Sequence, residues 1–598
     1  VVRRDFSPPG ERVLASYADL GSGYTVAGSG SVLLVFESSD AADLIETEHF
    51  HLFGDLELFP AGDVKGSVAP SLEQLAHRLA DGGGSPLSTL RGDFAFAFAD
   101  EDKRTVLLAR DRLGTRALYW STVGDDLVFA TVPSLIARHP DYHFDVDRHG
   151  VASGILEADG DRTRTAWRGI WRVAAGSFLE WEGAGTTAEH RYWSPSIADV
   201  EMTRDEAVEG LRHAFRRAVR RRFRSGDTGA FLSGGLDSSS IVCVAADDGI
   251  DLLTFTLRFP GDELADEGGF VDTVAQKYGL RNVTVDIGEQ AYVPDWRATG
   301  MRGSPDLFYY PNLQMLEPLY EAAAENGIGR LLDGVGGDHL LHATAAPLDL
   351  IADAVRAGDV REAWRLFQQW PAIDPMGRIR GVLRLLLRRA APPHLRFLWG
   401  RWKSQFPARH VPLRLALDSG LARELYPWRR PEFTRQTKKT TAETMTSRYH
   451  LERWLEQNYL LAHCHGIEQV SPYVDSDLVE FVLSVPLRYV FDPYVPRWLQ
   501  RESMKGILPE EIRTRTDKGE FDRFIGHVIK EQLVPGARAF FDEHGIEASS
   551  LVADRTVVDG WIRKIETGPP GWEIPLFLET LNYEKWLAEV RTDAFFAR

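Results

Sequence analysis

The sequence has only two cysteines in 598 residues, Cys243 and Cys464. A disulfide framework is therefore not expected, and this cysteine usage favours the cytoplasm. No apolar run is long enough to span a bilayer, and the first residues lack the apolar segment of a signal peptide. The net charge of -18 argues against a general nucleic-acid binder, which needs a basic surface. We expect neither a membrane nor a nucleic acid as a partner.

The composition is otherwise that of a globular protein, and a chain of this length is too long for one core. Short alternating runs such as GDFAFAFAD and GSFLEWE predict a layered β-sheet domain of α+β type over residues 1–195. From residue 200 to 598, strand-like and helix-like segments alternate. This order predicts a doubly wound parallel α/β sheet, with a helical insertion at about 341–465.

An arginine-rich segment at residues 203–227 opens the second domain. Its apolar residues recur at helical spacing, and Thr203 with Glu206 fits a capping box. The arginines could form an RNA-binding face. A solvated face of an amphipathic helix is the simpler interpretation, and we favour it.

Two glycine loops follow strand-like segments, FLSGGLDSSS at 231–240 and LLDGVGGDHL at 331–340. Ligands of doubly wound sheets bind beyond the carboxyl ends of the strands, where both loops fall. The first loop has glycines for close backbone approach, serine hydroxyls and a following helix, which together suit a phosphate. An ordinary turn before a serine-rich helix explains the first loop alone equally well.

The aspartates of the two loops favour the phosphate interpretation. A carboxylate beside a phosphate is repulsive unless a cation lies between them, and Mg²⁺ bridging Asp237 and phosphate oxygens removes the conflict. Asp338 in the second loop is a candidate second ligand of the same ion. The residues of the two loops thus predict a phosphate group and Mg²⁺ as ligands.

The first loop resembles the pyrophosphate loop of the ATP pyrophosphatase superfamily, and the chain resembles its asparagine synthetase type. Residues 92–120 are similar to the amidotransferase (Ntn-type) domain of that family, and residues 466–486 and 513–521 are similar to its later blocks. The resemblance implies an AMP-forming amide ligase. A carboxylate attacks the α-phosphate of ATP, pyrophosphate leaves, and an amine then displaces AMP.

The resemblance also implies site residues. Those of the pyrophosphate loop are Ser233, Gly234, Gly235, Asp237 and Ser238. Leu232, Leu257 and Gly334 match positions that line the adenosine pocket, and Asp237 and Asp338 match Mg²⁺ ligands. Lys518 matches the lysine that stabilises the charge of the adenylate, although a lysine considered by itself could simply be a surface residue.

The chain departs from the family pattern in three places. No cysteine precedes Cys243, so we expect the N-terminal domain to lack the glutaminase nucleophile. Val335 stands between glycines where asparagine synthetases have glutamate and β-lactam synthetases have tyrosine, and valine moves no proton. About 130 residues separate Asp338 from Glu468, more than the bacterial synthetases need.

A general base for the attacking amine is less well defined. Glu468 matches the family glutamate of the later block and is our candidate, with a helix-end salt bridge as the equally weighted alternative. His463 and His465 are nearby alternatives, although polar surface positions explain both more simply.

These departures together resemble the lasso peptide macrolactam synthetases. That subgroup implies a leaderless precursor peptide as the substrate, with a leader peptidase and a leader-recognition protein as possible partners. The segment GSPDLFYYPN at 303–312 carries Phe308, Tyr309 and Tyr310, which suit peptide contact or core packing. Another amide ligase of the family, β-lactam synthetase-like or asparagine synthetase-like, and a non-catalytic scaffold are the alternatives.

Overall fold

The structure is a computed structural model. It describes residues 2–3, 13, 17, 24–29, 32–37, 43–60, 68–155, 163–182, 186–197, 200–260, 265–287, 306, 308, 310–341, 360–361, 364, 445, 449–490, 495–515, 521–568 and 573–592. Most of the predicted helical insertion, as well as Lys518 and Tyr309, lies outside these residues.

The N-terminal domain contains two antiparallel sheets of six strands each. The strands are β1 Val2–Arg3, β2 Tyr24–Ser29, β3 Val32–Glu37, β4 Asp43–Glu46, β5 Phe50–Leu58, β6 Gly92–Asp100, β7 Thr105–Arg110, β8 Tyr119–Val123, β9 Asp126–Ala130, β10 Trp171–Arg172, β11 Ser177–Glu182 and β12 Thr186–Arg191. The strand order is β10-β8-β9-β1-β3-β2 in one sheet and β12-β11-β7-β6-β5-β4 in the other.

Strand β6 shows how the sequence builds these layers. Successive side chains of a strand point to opposite faces, so its alternating Phe and Ala residues separate. Phe94, Phe96 and Phe98 pack against the helix at Leu72–Gly82, named α1 here. The alanines between them face the core between the two sheets, where Trp181 is buried.

Two further helices complete the described part of the N-terminal domain, α2 at Pro133–Ala137 and α3 at Arg148–Ile155, and a short 3₁₀ helix covers Ser85–Thr89. Helix α1 begins with a capping box, in which the Ser71 and Gln74 side chains accept hydrogen bonds from each other's backbone amides. This reciprocal pair satisfies two amides that the first turn of a helix leaves without partners.

The C-terminal domain is built on a parallel sheet of five strands, so the mixed α/β architecture predicted from the sequence is confirmed. The strands are β13 Thr228–Phe231, β14 Leu253–Arg258, β15 Arg281–Asp286, β16 Arg330–Leu332 and β17 Glu468–Val470. Their order is β15-β14-β13-β16-β17. The two glycine loops follow the neighbouring strands β13 and β16.

Helices make up the rest of the described regular secondary structure of this domain. They are α4 Arg204–Arg220, α5 Leu236–Asp247, α6 Gly268–Tyr278, α7 Pro311–Gln314, α8 Glu317–Glu325, α9 Gly337–Leu341, α10 Tyr449–His463, α11 Ser476–Ser484, α12 Leu487–Val490, α13 Trp498–Ser503, α14 Glu510–Thr514, α15 Phe521–Val528, α16 Val534–His544, α17 Arg555–Thr567 and α18 Glu573–Thr592, with a π-helical turn at Ile529–Leu533.

The arginines of α4 are engaged within the chain. Arg216 pairs with Asp247 and Asp248, and Arg220 pairs with Asp248. Thr203 and Glu206 form the capping box that the sequence predicts. These contacts agree with an amphipathic helix whose apolar residues lie in the main core of the domain.

The two domains share a core and a buried ionic interface. Trp167 of the N-terminal domain packs edge to face on Trp586 of α18, with ring centroids 5.3 Å apart. Glu456 of α10 is buried, and it accepts hydrogen bonds from Arg172, Arg110 and the Tyr119 hydroxyl at 2.9–3.3 Å. In the described part of the chain, no helix has the length and hydropathy to cross a bilayer.

Candidate active site

The first glycine loop connects the central strand β13 to helix α5. Gly234 has a φ of 79°, a left-handed conformation that favours glycine. The Ser233 and Ser238 hydroxyls lie 2.8 Å apart, and the Gly235 amide donates to Ser233 Oγ at 3.3 Å. The serines and the first amides of α5 thus lie together at the carboxyl end of β13, an arrangement that suits an anion.

The second glycine loop packs directly on the first. A Cβ added to Gly337 would lie 2.6 Å from Cγ of Asp237, and one added to Gly334 would lie 3.2 Å from its Cβ. Gly336 has a φ of 90°, so this loop also needs a left-handed residue. A side chain at Gly337 would therefore force Asp237 or the loop to move, whereas one at Gly334 would be a tight fit.

Asp237 and Asp338 approach one shared cation, the Arg497 guanidinium. Arg497 Nη1 donates to both carboxylate oxygens of Asp237 at 2.6 Å, and Nη2 contacts Asp338 Oδ1. Gln500 Nε2 also donates to Asp237, at 3.0 Å. The structure thus brings the two predicted metal ligands together around a single positive charge.

Arg497 is held in an unusual backbone conformation. Its φ of 58° and ψ of 38° lie in the left-handed region. Among the other described non-glycine residues, only Arg104 has a positive φ, at 56°. Such strain costs about 1–3 kcal/mol and concentrates at functional sites. Arg497 and Gln500 were missed in the sequence analysis. The signal for Arg497 is the run YVPRWLQRES, which places two arginines four residues apart shortly before the Lys518 block.

Further arginines make this region positive. Burial, together with the nearby charges of Arg497, Arg513 and Arg515, lowers the pKa of Arg501. Arg515 pairs with Glu267 at 2.8 Å and lies over the Phe270 ring at 3.9 Å. Glu267 and Phe270 also border the first glycine loop, because a Cβ built on Gly234 would lie 3.0 Å from an atom of each. The charge of Arg515 therefore lies beside this loop. A site of this kind suits a polyphosphate.

Asp333 serves the second loop differently from Asp338. It is buried and accepts hydrogen bonds from Ser471 Oγ at 2.7 Å, from the Val335 amide at 2.9 Å and from Gln469 Nε2. Burial raises the pKa of Asp333 to about 6, even though these hydrogen bonds lower it. Asp333 therefore ties the start of the loop to the end of β17.

The predicted adenosine-pocket residues lie at the carboxyl ends of their strands. Leu232 is fully buried in the core directly after β13, and its amide donates to the Phe255 carbonyl at 2.9 Å. Leu257 is half-buried near the end of β14. The Leu232 carbonyl also accepts a hydrogen bond from Thr256 Oγ1 at 2.6 Å, so both backbone groups of Leu232 are engaged within the sheet, whereas Leu257 keeps a partly exposed side chain.

Glu468 lies at the other end of the sheet. It is the first residue of β17 and pairs in register with Arg330, the first residue of β16. Arg116, Arg224 and Arg330 hold its carboxylate at 2.5–3.0 Å. Burial raises the pKa of Glu468, but these three arginines together hold it below its usual range. Glu468 thus has the salt-bridge environment that was the alternative to a general base. The glycine loops lie at the opposite end of the sheet, after strands β13 and β16.

The histidines and aromatic residues also have structural neighbours. His463 stacks on Tyr459 with ring centroids 5.8 Å apart, and His465 lies 3.5 Å from Glu317. Phe308 packs edge to face on Tyr583, and the Tyr310 hydroxyl donates to Glu579 at 2.7 Å. Among the described contacts, core packing accounts for both aromatic residues.

The donor set at the glycine loops fits Mg²⁺. Two carboxylates, Asp237 and Asp338, converge on one point that already attracts a cation, and oxygen is the ligand that Mg²⁺ prefers. The side chains of Asp237 and Asp338 are 18% and 48% exposed, so an ion can reach both from solvent.

Comparison with known proteins identifies the family. The protein-family model described as asparagine synthase matches residues 210–588, which is more than half of the chain. The chain belongs to the asparagine synthase family. A second model, described as a glutamine amidotransferase domain, matches residues 68–193. The predicted asparagine synthetase-type chain with an amidotransferase-like N-terminal domain is therefore confirmed, and members of the asparagine synthase family are ATP-dependent amide ligases.

Three relatives of this chain have names that denote different activities. Asparagine synthetase 1 (glutamine-hydrolyzing) of Bacillus subtilis is 23% identical over 523 residues, covering 83% of this chain and 79% of that protein. Amidase chry2 of Gibberella zeae is 24% identical and covers 72% and 69%. Carboxyethyl-arginine beta-lactam-synthase of Streptomyces clavuligerus is 27% identical over 338 residues, covering 56% and 61%. These names differ in reaction as well as in substrate, so they leave the substrate of this chain open.

Proposed function

We propose that this asparagine synthase family chain is a lasso peptide cyclase. An Asp or Glu side-chain carboxylate of a leaderless precursor peptide attacks the α-phosphate of ATP, and pyrophosphate leaves. The N-terminal amine of the same peptide then attacks the acyl carbon, loses a proton and displaces AMP. The product is a macrolactam closed by an isopeptide bond.

Val335 is the observation that carries this proposal. It is the residue between Gly334 and Gly336, its side chain is partly buried against the main core, and its amide donates to Asp333. An apolar side chain there neither transfers a proton nor holds ammonia. A reaction between two groups of one substrate fits such a site, because positioning then supplies most of the acceleration.

ATP and Mg²⁺ fit the two glycine loops. We assign the pyrophosphate portion to Ser233, Gly234, Gly235 and Ser238, whose amides and hydroxyls lie at the start of α5. Asp237 and Asp338 would hold Mg²⁺, which supplies positive charge to the phosphates when bound. Leu232, Leu257 and Gly334 remain our prediction for the adenosine pocket.

The positive side chains of the chain itself complete this assignment. Arg497, Arg501 and Arg515 surround the loops, and fixed cations beside a phosphate stabilise charge that develops during displacement. Lys518 remains a prediction, since it lies outside the described residues. We no longer assign Glu468 to proton transfer, because three arginines neutralise it at the amino end of the sheet. We propose instead that it fastens the domain interface.

The proposed setting follows from the substrate. A leader peptidase and a leader-recognition protein would supply the processed peptide, and the cytoplasm, where ATP is abundant, agrees with the two cysteines that form no disulfide.

A β-lactam synthetase-like activity is the second candidate. It is supported by the 27% identity to the Streptomyces enzyme, whose name describes closure of a small ring. Ring closure within one substrate is common to both candidates. They differ in the size of the substrate, a carboxylate-bearing amino acid in one case and a peptide in the other.

The experiment that separates them uses two substrate panels with ATP and Mg²⁺. One panel holds leaderless forms of the small peptides encoded beside the gene, and the other holds β-amino acids and free aspartate with ammonia. Pyrophosphate release and product mass are read together. A peptide product lighter by one water supports the cyclase, whereas turnover of the small molecules alone overturns it.

A further inference from the structure

A buried histidine lies outside the glycine loops, in the turn between α10 and β17. The His465 side chain is only 6% exposed, and its Nε2 atom has no hydrogen-bond partner among the described residues. A buried polar atom without a partner is uncommon, because desolvation costs free energy that a hydrogen bond normally restores. The nearest acidic atom is Glu317 Oε1, 3.5 Å away.

Two carboxylates face this nitrogen from helix α8. Glu317 and Glu321 are four residues apart and therefore share one face of the helix. One oxygen from each carboxylate and one His465 ring nitrogen all lie within 4.8 Å of one another. A single histidine–glutamate ion pair needs only one of these carboxylates, so the arrangement has more acceptors than such a pair requires.

The spacing of the three atoms is close to that of a metal site. Zinc bonds of about 2.0–2.2 Å in a tetrahedron place neighbouring ligand atoms about 3.3 Å apart. The His465–Glu317 separation of 3.5 Å already approaches this value. Glu321 is exposed, so rotation of its side chain can close the remaining gap.

We propose that Glu317, Glu321 and His465 bind a divalent transition-metal ion of the zinc type. An imidazole together with carboxylates suits zinc and its neighbours in the first transition row, whereas Mg²⁺ prefers oxygen alone. Three protein ligands leave a fourth position for water. This site is separate from the one formed by Asp237 and Asp338, and it does not depend on the proposed function.

The metal would brace the part of the sheet that carries the second glycine loop. The Tyr320 ring stacks on His465, with ring centroids 6.0 Å apart. The Tyr320 hydroxyl donates to Gln469, and the Gln469 amide donates to Asp333 at the start of the loop. An ion that fixes His465 against α8 would thus stiffen a chain of contacts that ends at the loop. We assign it a structural role.

The test uses tag-free full-length protein, stripped with a chelator and kept in excess Mg²⁺ to saturate the oxygen-only site. Zn²⁺ is titrated by calorimetry and Co²⁺ by visible absorption, which reports the ligand geometry. The variants are His465→Gln and Glu321→Gln. The matched control is Glu325→Gln, an exposed residue one turn further along α8, and Cys464→Ser removes the adjacent thiol.

The proposal predicts one equivalent of Zn²⁺ and a raised thermal midpoint in the wild type, Glu325→Gln and Cys464→Ser. His465→Gln and Glu321→Gln should each weaken Zn²⁺ binding by more than about tenfold. Circular dichroism checks that each variant is folded. If His465→Gln does not fold, the Zn²⁺ affinity of Glu321→Gln decides the test, because Glu321 is exposed and its replacement should leave the fold intact. Absence of Zn²⁺ binding in the wild type, full binding by Glu321→Gln, or loss of binding in Cys464→Ser would overturn the site.

Discussion

Replacement of Gly337 by alanine tests the contact between the two glycine loops. The added Cβ would lie 2.6 Å from both Cγ and Oδ1 of Asp237. Non-bonded carbon atoms settle at about 3.5–4.0 Å, so the loop or the carboxylate must move by about 1 Å. Movement of the carboxylate disturbs its 2.6 Å hydrogen bonds from Arg497 and its 3.0 Å bond from Gln500.

The size of the effect follows from the cost of overpacking. An extra methyl group in a tight site costs about 1–3 kcal/mol. If the carboxylate takes up the displacement, this cost corresponds to an affinity for Mg·ATP that is about 5- to 150-fold weaker. If the backbone moves instead, that part of the free-energy cost appears as a lower midpoint of thermal unfolding. Calorimetric titration with Mg·ATP and a thermal melt together measure the whole cost.

Two other glycines provide a graded comparison. A Cβ at Gly334 would lie 3.2 Å from Asp237 Cβ, so Gly334→Ala should lose less affinity than Gly337→Ala. A Cβ at Gly560, in helix α17, meets no described heavy atom within 4 Å. Gly560→Ala should therefore keep wild-type affinity and gain about 0.5–1 kcal/mol of stability. Wild-type affinity and an unchanged midpoint in Gly337→Ala would refute the packing of the two loops.

Three further predictions concern the interface, pH and the shared cation. Glu456→Gln should lower the free energy of unfolding by up to about 3–5 kcal/mol, because it removes one of the two carboxylates, Glu456 and Glu452, that balance the buried charges of Arg110 and Arg172. The control Glu566→Gln, whose side chain is 39% exposed, should cost less than about 1 kcal/mol. Equal losses in chemical denaturation would contradict this prediction. Burial raises the pKa of Asp475, but Arg221 and Arg222 hold it well below its usual range. The ionised Asp475 carboxylate therefore stabilises the fold fully above the ordinary pKa of an aspartate, and this stabilisation is lost as the pH falls through the lowered pKa. The difference in stability between wild type and Asp475→Asn should thus shrink in acid. Denaturation midpoints that show the same difference at every pH would oppose this. Arg497→Gln should weaken Mg·ATP binding by about tenfold or more in calorimetry, and Arg497→Lys by less, since it keeps the charge; equal affinities in the two variants would argue against a role for that charge.

The sequence predicts much of the architecture because its signals are local. Alternation of Phe and Ala over residues 92–100 is sufficient to define a strand buried on both faces. Glycine runs after apolar segments locate both loops, and their parallel strands bring the loops together at one edge. The approach of Asp237 to Asp338 could thus be anticipated from topology and charge alone.

Long-range contacts limit what the sequence can predict. Glu468 matches a family block, yet its environment is set by Arg116, Arg224 and Arg330, which are far away in the chain. Arg497 reaches the aspartates through a left-handed backbone that no local pattern encodes. The carboxylates that face His465 likewise come from a helix about 145 residues earlier. Residues of this kind require the fold before their roles can be assigned.

The central claim is tested most directly by tracing one oxygen atom. The leaderless precursor peptide is labelled with ¹⁸O in its acceptor side-chain carboxylate and incubated with the protein, ATP and Mg²⁺. Mass spectrometry should find a peptide lighter by one water and an ¹⁸O atom in AMP, because adenylation transfers a carboxylate oxygen to the α-phosphate. Label in inorganic phosphate with release of ADP, or a cyclised peptide without label in AMP, would contradict the adenylating mechanism.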